Sequence, residues 1–135
     1  MNALRILFKT NRFNLSKVGE HFINPCCFGE DLAAWLRIKF SERGALVRDP
    51  YQEDWGWELP VTHQGDSYYL CLSGNSDESS ANRDEGEWGI IVEKKRSIAQ
   101  RLRGLGKITA NDKLVQTLQE ILAAEPAFRE IHREG

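Results

Sequence analysis

The residues best suited to chemistry are the carboxylates and indoles of one short run. Residues 52–57 read Gln-Glu-Asp-Trp-Gly-Trp, so Glu53 and Asp54 directly precede Trp55 and Trp57. Two residues apart in a strand, both indoles would lie on one face of a sheet. Paired carboxylates can divide acid and base roles, although adjacent residues of an extended chain point to opposite sides. The run is therefore either a site with Glu53 and Asp54 as weak catalytic candidates, or a set of ion pairs beside a tryptophan core.

The other candidate for chemistry is the adjacent pair Cys26 and Cys27, a few residues before a predicted helix. A thiol becomes nucleophilic when its pKa falls, and a helix N-terminus promotes that fall. Glu30 and Asp31 share this terminus and oppose a thiolate. We expect inert cysteines, with Cys26 kept as a weak catalytic candidate. Because no histidine or cysteine spacing matches a metal-binding pattern, we expect no metal and no cofactor.

Charge is unevenly distributed along the chain, although the formal net charge is only -2. Residues 1–48 carry 8 basic and 4 acidic side chains, residues 49–93 carry 1 and 11, and residues 94–135 carry 9 and 5. The acids form either a solvated face or loop, or a surface that steers a basic partner. The second alternative predicts a binding surface within residues 49–87. Its candidate residues are Glu53, Asp54, Trp55, Trp57, Asp77, Glu78, Asp84 and Glu85.

A basic stretch follows the acidic region. Residues 94–107 contain six basic side chains and no acidic one. The stretch has no interleaved aromatic residue and no glycine-rich phosphate loop, so we do not expect it to bind nucleic acid. A nucleic acid adaptor acting through residues 94–107 remains an alternative.

The elements that would position these residues follow from hydrophobic periodicity. Pro60 lacks a backbone donor, which predicts an edge position or a bulge and leaves homodimerisation through an exposed edge open. Residues 64–66 predict a hairpin turn, and residues 73–87 predict a mobile polar loop. The predicted strands are 4–8, 45–48, 55–63, 68–72 and 88–92, and the predicted helices are 30–43, a frayed one within 94–107, and one from Thr109 that Pro126 interrupts.

The order β-α-β-β-β-β-α-α predicts an α+β two-layer sandwich. We expect an antiparallel sheet of about four to five strands with two or three helices on one face. At this length, residues 1–135 are expected to form a single domain. No apolar run approaches the ~18 residues of a membrane span, and the N-terminal segment lacks a signal-peptide pattern. With three cysteines, an odd number, the cytoplasm is the expected compartment.

Two segments resemble parts of a set of small uncharacterised bacterial proteins. They are residues 22–29, Phe-Ile-Asn-Pro-Cys-Cys-Phe-Gly, and residues 52–57. The resemblance implies a bacterial, intracellular, single-domain protein. It implies no activity, cofactor or partner, and it supplies no catalytic residue.

These patterns together favour an interaction protein without catalysis. We expect a bacterial immunity-like or antitoxin-like protein, or an accessory subunit, that binds a basic protein partner through its acidic 49–87 region. One alternative is a small enzyme or ligand-binding protein that uses Glu53 to Trp57. The other is the nucleic acid adaptor described above.

Overall fold

The computed structural model describes residues 3–25 and 27–134. Within them the chain forms seven strands and three helices, which confirms the predicted α+β class. In chain order these are β1 (Ala3–Thr10), α1 (Glu30–Glu42), β2 (Leu46–Val47), β3 (Tyr51–Glu53), β4 (Gly56–His63), β5 (Asp66–Ser76), β6 (Gly86–Lys94), α2 (Ile98–Arg103), α3 (Lys113–Ala123) and β7 (Arg129–Glu134).

All strand pairs are antiparallel, in the order β2-β4-β5-β6-β1-β7, and β3 also pairs with β4. The turn between β4 and β5 is the predicted hairpin. Gln64 and Gly65 both have positive φ, 50° and 86°, as the turns that match strand twist require. The predicted sheet type is therefore confirmed.

The predicted count of four to five strands is wrong, because β3 and β7 are additional strands. Segment 129–134 carries no apolar alternation that would reveal a strand. It is an edge strand held on β1 by its backbone, with cross-strand pairs such as Arg5 and Glu134, whose side chains approach to 3.5 Å. Charged edge strands of this kind escape a search for buried alternation.

Helices α1 and α3 cover one face of the sheet. Both pack into one core cluster with alternate residues of the strands, such as Leu59, Leu70 and Ile90. The helical contributors are Leu32, Ala33, Leu36, Phe40, Leu114, Val115, Leu118, Ile121 and Leu122. Helix α2 contributes no buried residue. The predicted two-layer arrangement therefore rests on two helices, and the opposite face of the sheet has no helix over it among the described residues.

The predicted mobile loop 73–87 is shorter in the structure, since β5 continues to Ser76 and β6 begins at Gly86. Small residues explain the error. A Cβ at Gly74 would lie 2.8 Å from the Trp88 ring, and one at Gly86 would lie 2.4 Å from Leu15 Cδ1. The polar residues at the ends of this segment therefore belong to the closely packed pair of strands β5 and β6, and the loop itself is only residues 77–85.

Pro60 lies opposite the break between two short strands on one flank of β4. Strand β2 pairs with β4 only as far as Val61, and β3 begins its pairing at Glu58. The Pro60 carbonyl accepts a hydrogen bond from Arg48 N on that flank, at 3.1 Å. Because N–H and C=O of one residue point to the same side of a strand, the missing Pro60 donor faces this break, where it costs no ladder bond.

Candidate functional site: an acidic groove on the open face of the sheet

The open face of the sheet carries a concavity of about 420 Å³. Its floor is a row of residues in register across three strands, in which Glu58 faces Cys71 and Cys71 faces Ile91. We call this concavity the acidic groove. Its lining residues are Glu53, Trp55, Glu58, Cys71, Ser73, Ile91 and Glu93.

The tight turn between β3 and β4 forms one wall of the acidic groove. Glu53 pairs with Gly56 across that turn, so residue 55 lies at its tip and its indole is 45 % exposed. Gly56 permits the turn because its backbone lies against Leu72, and a Cβ there would be 2.1 Å from the Leu72 carbonyl oxygen. The sequence Asp-Trp-Gly thus places an indole beside the carboxylates.

The groove holds an excess of negative charge. Burial raises the pKa of Glu58, and the nearby charge of Glu93 raises it further. Among the described residues no salt bridge involves Glu53, Glu58 or Glu93, and Glu58 accepts a hydrogen bond from the Tyr51 hydroxyl. Three carboxylates around one concavity repel each other, and a cation in the groove would relieve that repulsion.

Cys71 lies at the floor of the groove and is held as a thiol. Burial raises its pKa to about 12, with further contributions from the charges of Glu93, Glu58 and Glu53. A nucleophilic cysteine needs the opposite environment, with cations or a helix N-terminus beside the sulfur. The groove therefore disfavours thiolate chemistry.

We expect Cys71 to resist alkylation in the folded protein. At pH 8 its reaction with iodoacetamide should be at least about 100-fold slower than in the urea-unfolded chain, since the thiolate fraction falls with the raised pKa. Mass spectrometry of the peptide that contains residue 71 measures the rate. Equal rates in the folded and unfolded states would contradict this description of the groove.

The prediction that Trp55 and Trp57 share one face is wrong. Trp57 is 5 % exposed on the helix-covered side, and its Nε1 donates to the Cys27 carbonyl oxygen at 3.0 Å. Its ring also contacts Phe22, with centroids 5.4 Å apart. The two indoles separate because residues 54 and 55 are turn residues, so strand alternation does not extend from Trp57 back to Trp55.

Of the three weak catalytic candidates, the structure describes Glu53 and Asp54, whose side chains have different surroundings. Glu53 lines the groove, whereas Asp54 Oδ1 accepts a hydrogen bond from Asn24 Nδ2 at 3.2 Å. Cys26 lies outside the described residues. His21, the histidine nearest to Cys26 in the sequence, has its Nε2 2.6 Å from a Glu30 carboxylate oxygen.

The acidic loop 77–85 uses most of its carboxylates internally. Hydrogen bonds from Ser79 hold the pKa of Asp77 below its usual value. Asp84 accepts from Leu15 N at 3.0 Å and from Ser16 Oγ at 2.9 Å. The remaining two loop acids differ, because Glu85 is ion-paired with Arg129 whereas Glu78 is exposed. These contacts give the loop a structural role that the sequence did not indicate.

The predicted site residues do not include Glu58, Cys71 or Glu93. Each occupies a strand position whose neighbours face the core, such as Leu59 beside Glu58. That alternation is a visible signal that they face away from the core. Only the register of β4, β5 and β6 shows that they meet.

Comparisons with protein-family models, with curated proteins and with solved structures find no match. No helix in the described part of the chain is long and apolar enough to cross a membrane. Within residues 3–25 and 27–134, no group of three or more His, Cys, Asp or Glu side chains is arranged to hold a metal ion. The case for a function rests on the geometry of the groove.

Proposed function

We propose that this chain is a non-catalytic interaction protein whose acidic groove binds a basic segment of a protein partner. The observation that carries this proposal is the cluster of Glu53, Glu58 and Glu93, which has no cationic partner in the described structure and lies beside the exposed indole of Trp55. The proposed protein is bacterial and cytoplasmic, and is of the immunity-like, antitoxin-like or accessory-subunit kind.

The groove offers two kinds of contact that suit lysine and arginine. Carboxylates form charge-assisted hydrogen bonds with ammonium and guanidinium groups. An indole face attracts the same groups by a cation–π interaction of roughly 0.5–2 kcal/mol. Trp55 lies in the groove with Glu53 and Glu58, so one basic side chain can use both contacts.

The proposed surface is smaller than the acidic 49–87 region and differs from it at one end. Glu93 belongs to the groove although it lies beyond residue 87, and in the loop Asp77, Asp84 and Glu85 already make hydrogen bonds or an ion pair within the chain. Trp55 is proposed as the aromatic anchor, because partly exposed aromatic residues at the centre of a contact contribute most to binding.

Titration with an oligolysine peptide, followed by intrinsic tryptophan fluorescence, tests the proposal, and Trp55→Phe identifies the part of the signal that comes from Trp55 among the four tryptophans. We expect Glu58→Gln/Glu93→Gln to raise the Kd at least about tenfold, because two charge-assisted contacts are lost. Glu20→Gln/Glu78→Gln is the matched control, since it removes the same net charge from two exposed positions outside the groove. Equal weakening by both double variants would show that only net charge matters, and would sink the proposal.

A pH measurement tests the repulsion inside the groove. A carboxyl whose folded pKa is raised stabilises the fold fully below its unfolded value, near 4.5, and this contribution is lost as pH rises through the folded pKa. Glu58→Gln, neutral at every pH, should therefore raise the melting temperature at pH 7 and leave it unchanged at pH 4. A lower melting temperature at pH 7 would show that Glu58 is paired favourably.

The remaining alternatives receive less support from the geometry. A catalytic or ligand-binding role for the run from Glu53 to Trp57 loses one of its aromatic groups to the core, since Trp57 is buried. Cys71, the thiol beside that run, has a pKa raised to about 12. Most residues of the basic stretch 94–107 are exposed. Its most unusual feature is a group of exposed aliphatic side chains, those of Ile98, Leu102 and Leu105.

A further inference from the structure

The segment after β6 exposes large aliphatic side chains that nothing in the described structure covers. Ile98, Leu102 and Leu105 are 76 %, 83 % and 54 % exposed. Arg96, Arg101, Arg103 and Lys107 surround them, and no acidic residue lies between positions 94 and 107. We call residues 96–107 the basic ridge. Clustered exposed apolar residues of this kind mark an interaction surface.

The basic ridge is ordered without help from the core. Ser97 and Gln100 form a reciprocal capping box at the start of α2, and Gly104 ends the helix in the left-handed conformation with φ 66°. Arg96 Nη1 donates to the Leu105 carbonyl oxygen at 3.2 Å. These local contacts order the backbone that carries the aliphatic side chains, which lowers the entropic cost of binding.

A surface whose charge and apolar groups complement this ridge is on the same chain. The acidic groove carries three carboxylates with Trp55 and Ile91, and the ridge carries four cations with its aliphatic side chains. We propose that the basic ridge of one copy docks in the acidic groove of a second copy. This inference rests on the proposed function, and it names the basic segment as part of the chain itself.

The chain connectivity suits a closed dimer. Glu93 of the groove and Arg96 of the ridge are three residues apart, a span of at most about 10 Å. With groove and ridge adjoining, a two-fold axis brings each ridge against the other copy's groove at the same time. The two contacts add their areas, and in such a closed dimer no groove or ridge is left unpaired to extend the assembly.

A charge exchange tests the dimer by sedimentation velocity at protein concentrations up to about 500 µM. We expect the wild type to dimerise more weakly as salt rises. Arg101→Glu/Arg103→Glu in the ridge and Glu58→Lys/Glu93→Lys in the groove should each weaken the homodimer at least about 100-fold by like-charge contact. An equimolar mixture of the two variants should form a heterodimer, because one contact then pairs the two exchanged surfaces, the other pairs the two unchanged surfaces, and both bring opposite charges together.

Several outcomes would overturn the dimer. A monomeric wild type would do so, as would variants that still dimerise or a mixture that stays monomeric while circular dichroism shows both variants folded. Leu102→Ser, at an exposed position, should also weaken the dimer without lowering the melting temperature. Wild type that stays monomeric but sediments with phosphatidylglycerol vesicles through Leu102 would assign the ridge to a lipid surface instead.

The failure of this inference can be distinguished from the failure of the proposed function. Arg101→Glu/Arg103→Glu leaves every groove residue unchanged. If it still binds oligolysine while the wild type does not dimerise, only the second-copy occupant is wrong. If it is folded and does not bind oligolysine, the groove is not a site for basic segments.

Discussion

Gly56→Ala is expected to lower the free energy of unfolding by about 3–5 kcal/mol. The added Cβ would lie 2.1 Å from the Leu72 carbonyl oxygen, and φ at this position is 155°. Leu72 cannot move aside, because it is fully buried and paired with Trp57 on one side and Ile90 on the other. The clash therefore falls on the β3–β4 turn, which carries Glu53 and Trp55.

Urea unfolding of Gly56→Ala beside Gly65→Ala measures this effect. Gly65 also has positive φ, 86°, but a Cβ there meets no atom within 4 Å. Its substitution should cost only about 1 kcal/mol, the conformational cost alone. Equal losses for the two variants would mean that close approach to Leu72 does not constrain the turn. Gly56→Ala should also weaken oligolysine binding by displacing Trp55.

Asp112→Ala is expected to lower the free energy of unfolding by about 3 kcal/mol. The Asp112 side chain is 6 % exposed and accepts hydrogen bonds from the Tyr68 hydroxyl and from Lys94 Nζ, both at 3.0 Å. It also caps α3 by accepting from Leu114 N at 2.9 Å. Its removal takes away a helix cap and leaves Lys94 with a weaker carboxylate contact to Asp66, at 3.5 Å.

Two further variants separate these contributions in urea unfolding. Asp112→Asn keeps an oxygen for the helix cap and loses the charge, so it should cost about 1–2 kcal/mol. Asp49→Ala breaks the exposed pair with Arg37, in which the Asp49 side chain is 89 % exposed, and should cost at most about 0.5 kcal/mol. If Asp112→Ala lowered the free energy of unfolding no more than Asp49→Ala does, the contacts of Asp112 with Tyr68 and Lys94 would not be important for stability.

The contacts of Asp112 with Tyr68 and Lys94 also determine how the stability of the protein changes at alkaline pH. Burial and then the charge of Asp112 raise the pKa of Tyr68. Burial lowers the pKa of Lys94, but its hydrogen bonds and charge interactions with Asp112 and Asp66 together outweigh burial and raise that pKa. Groups with raised folded pKa values stabilise the protein below their ordinary values, near 10, and lose that contribution as pH rises through the folded values. Asp112→Ala should therefore lose less stability than wild type above pH 10.

The parts of the fold with strong apolar periodicity were predictable from sequence. The helix at 30–43 and strands β4, β5 and β6 bury alternate or helically spaced residues, and their periodicity reveals this burial. Strand β7 was not predictable, because its backbone pairing and charged cross-strand contacts leave no apolar pattern. The C-terminal end of β5 was not predictable for a different reason. It contains Gly74, which is typical of loops but is needed here because a side chain would collide with the Trp88 ring.

The candidate site was predictable only in part. The run at 52–57 indicated two of the groove residues, Glu53 and Trp55. It also led to the wrong expectation that Trp55 and Trp57 share one face, because strand alternation was extended to Trp55, which lies in a turn. Glu93 could not be assigned, since sheet register depends on the whole hydrophobic pattern and turn geometry rather than on nearby residues.

The most direct test of the acidic groove is to map where a basic segment binds. Two-dimensional 15N–1H NMR spectra of the labelled protein, recorded during titration with oligolysine, report each backbone amide and the Trp55 indole N–H. We expect the largest shift changes at Glu53, Glu58 and Glu93 and at that indole, with loop 77–85 little affected. Changes concentrated in the loop, or no saturable change on the open face of the sheet, would contradict the proposed function.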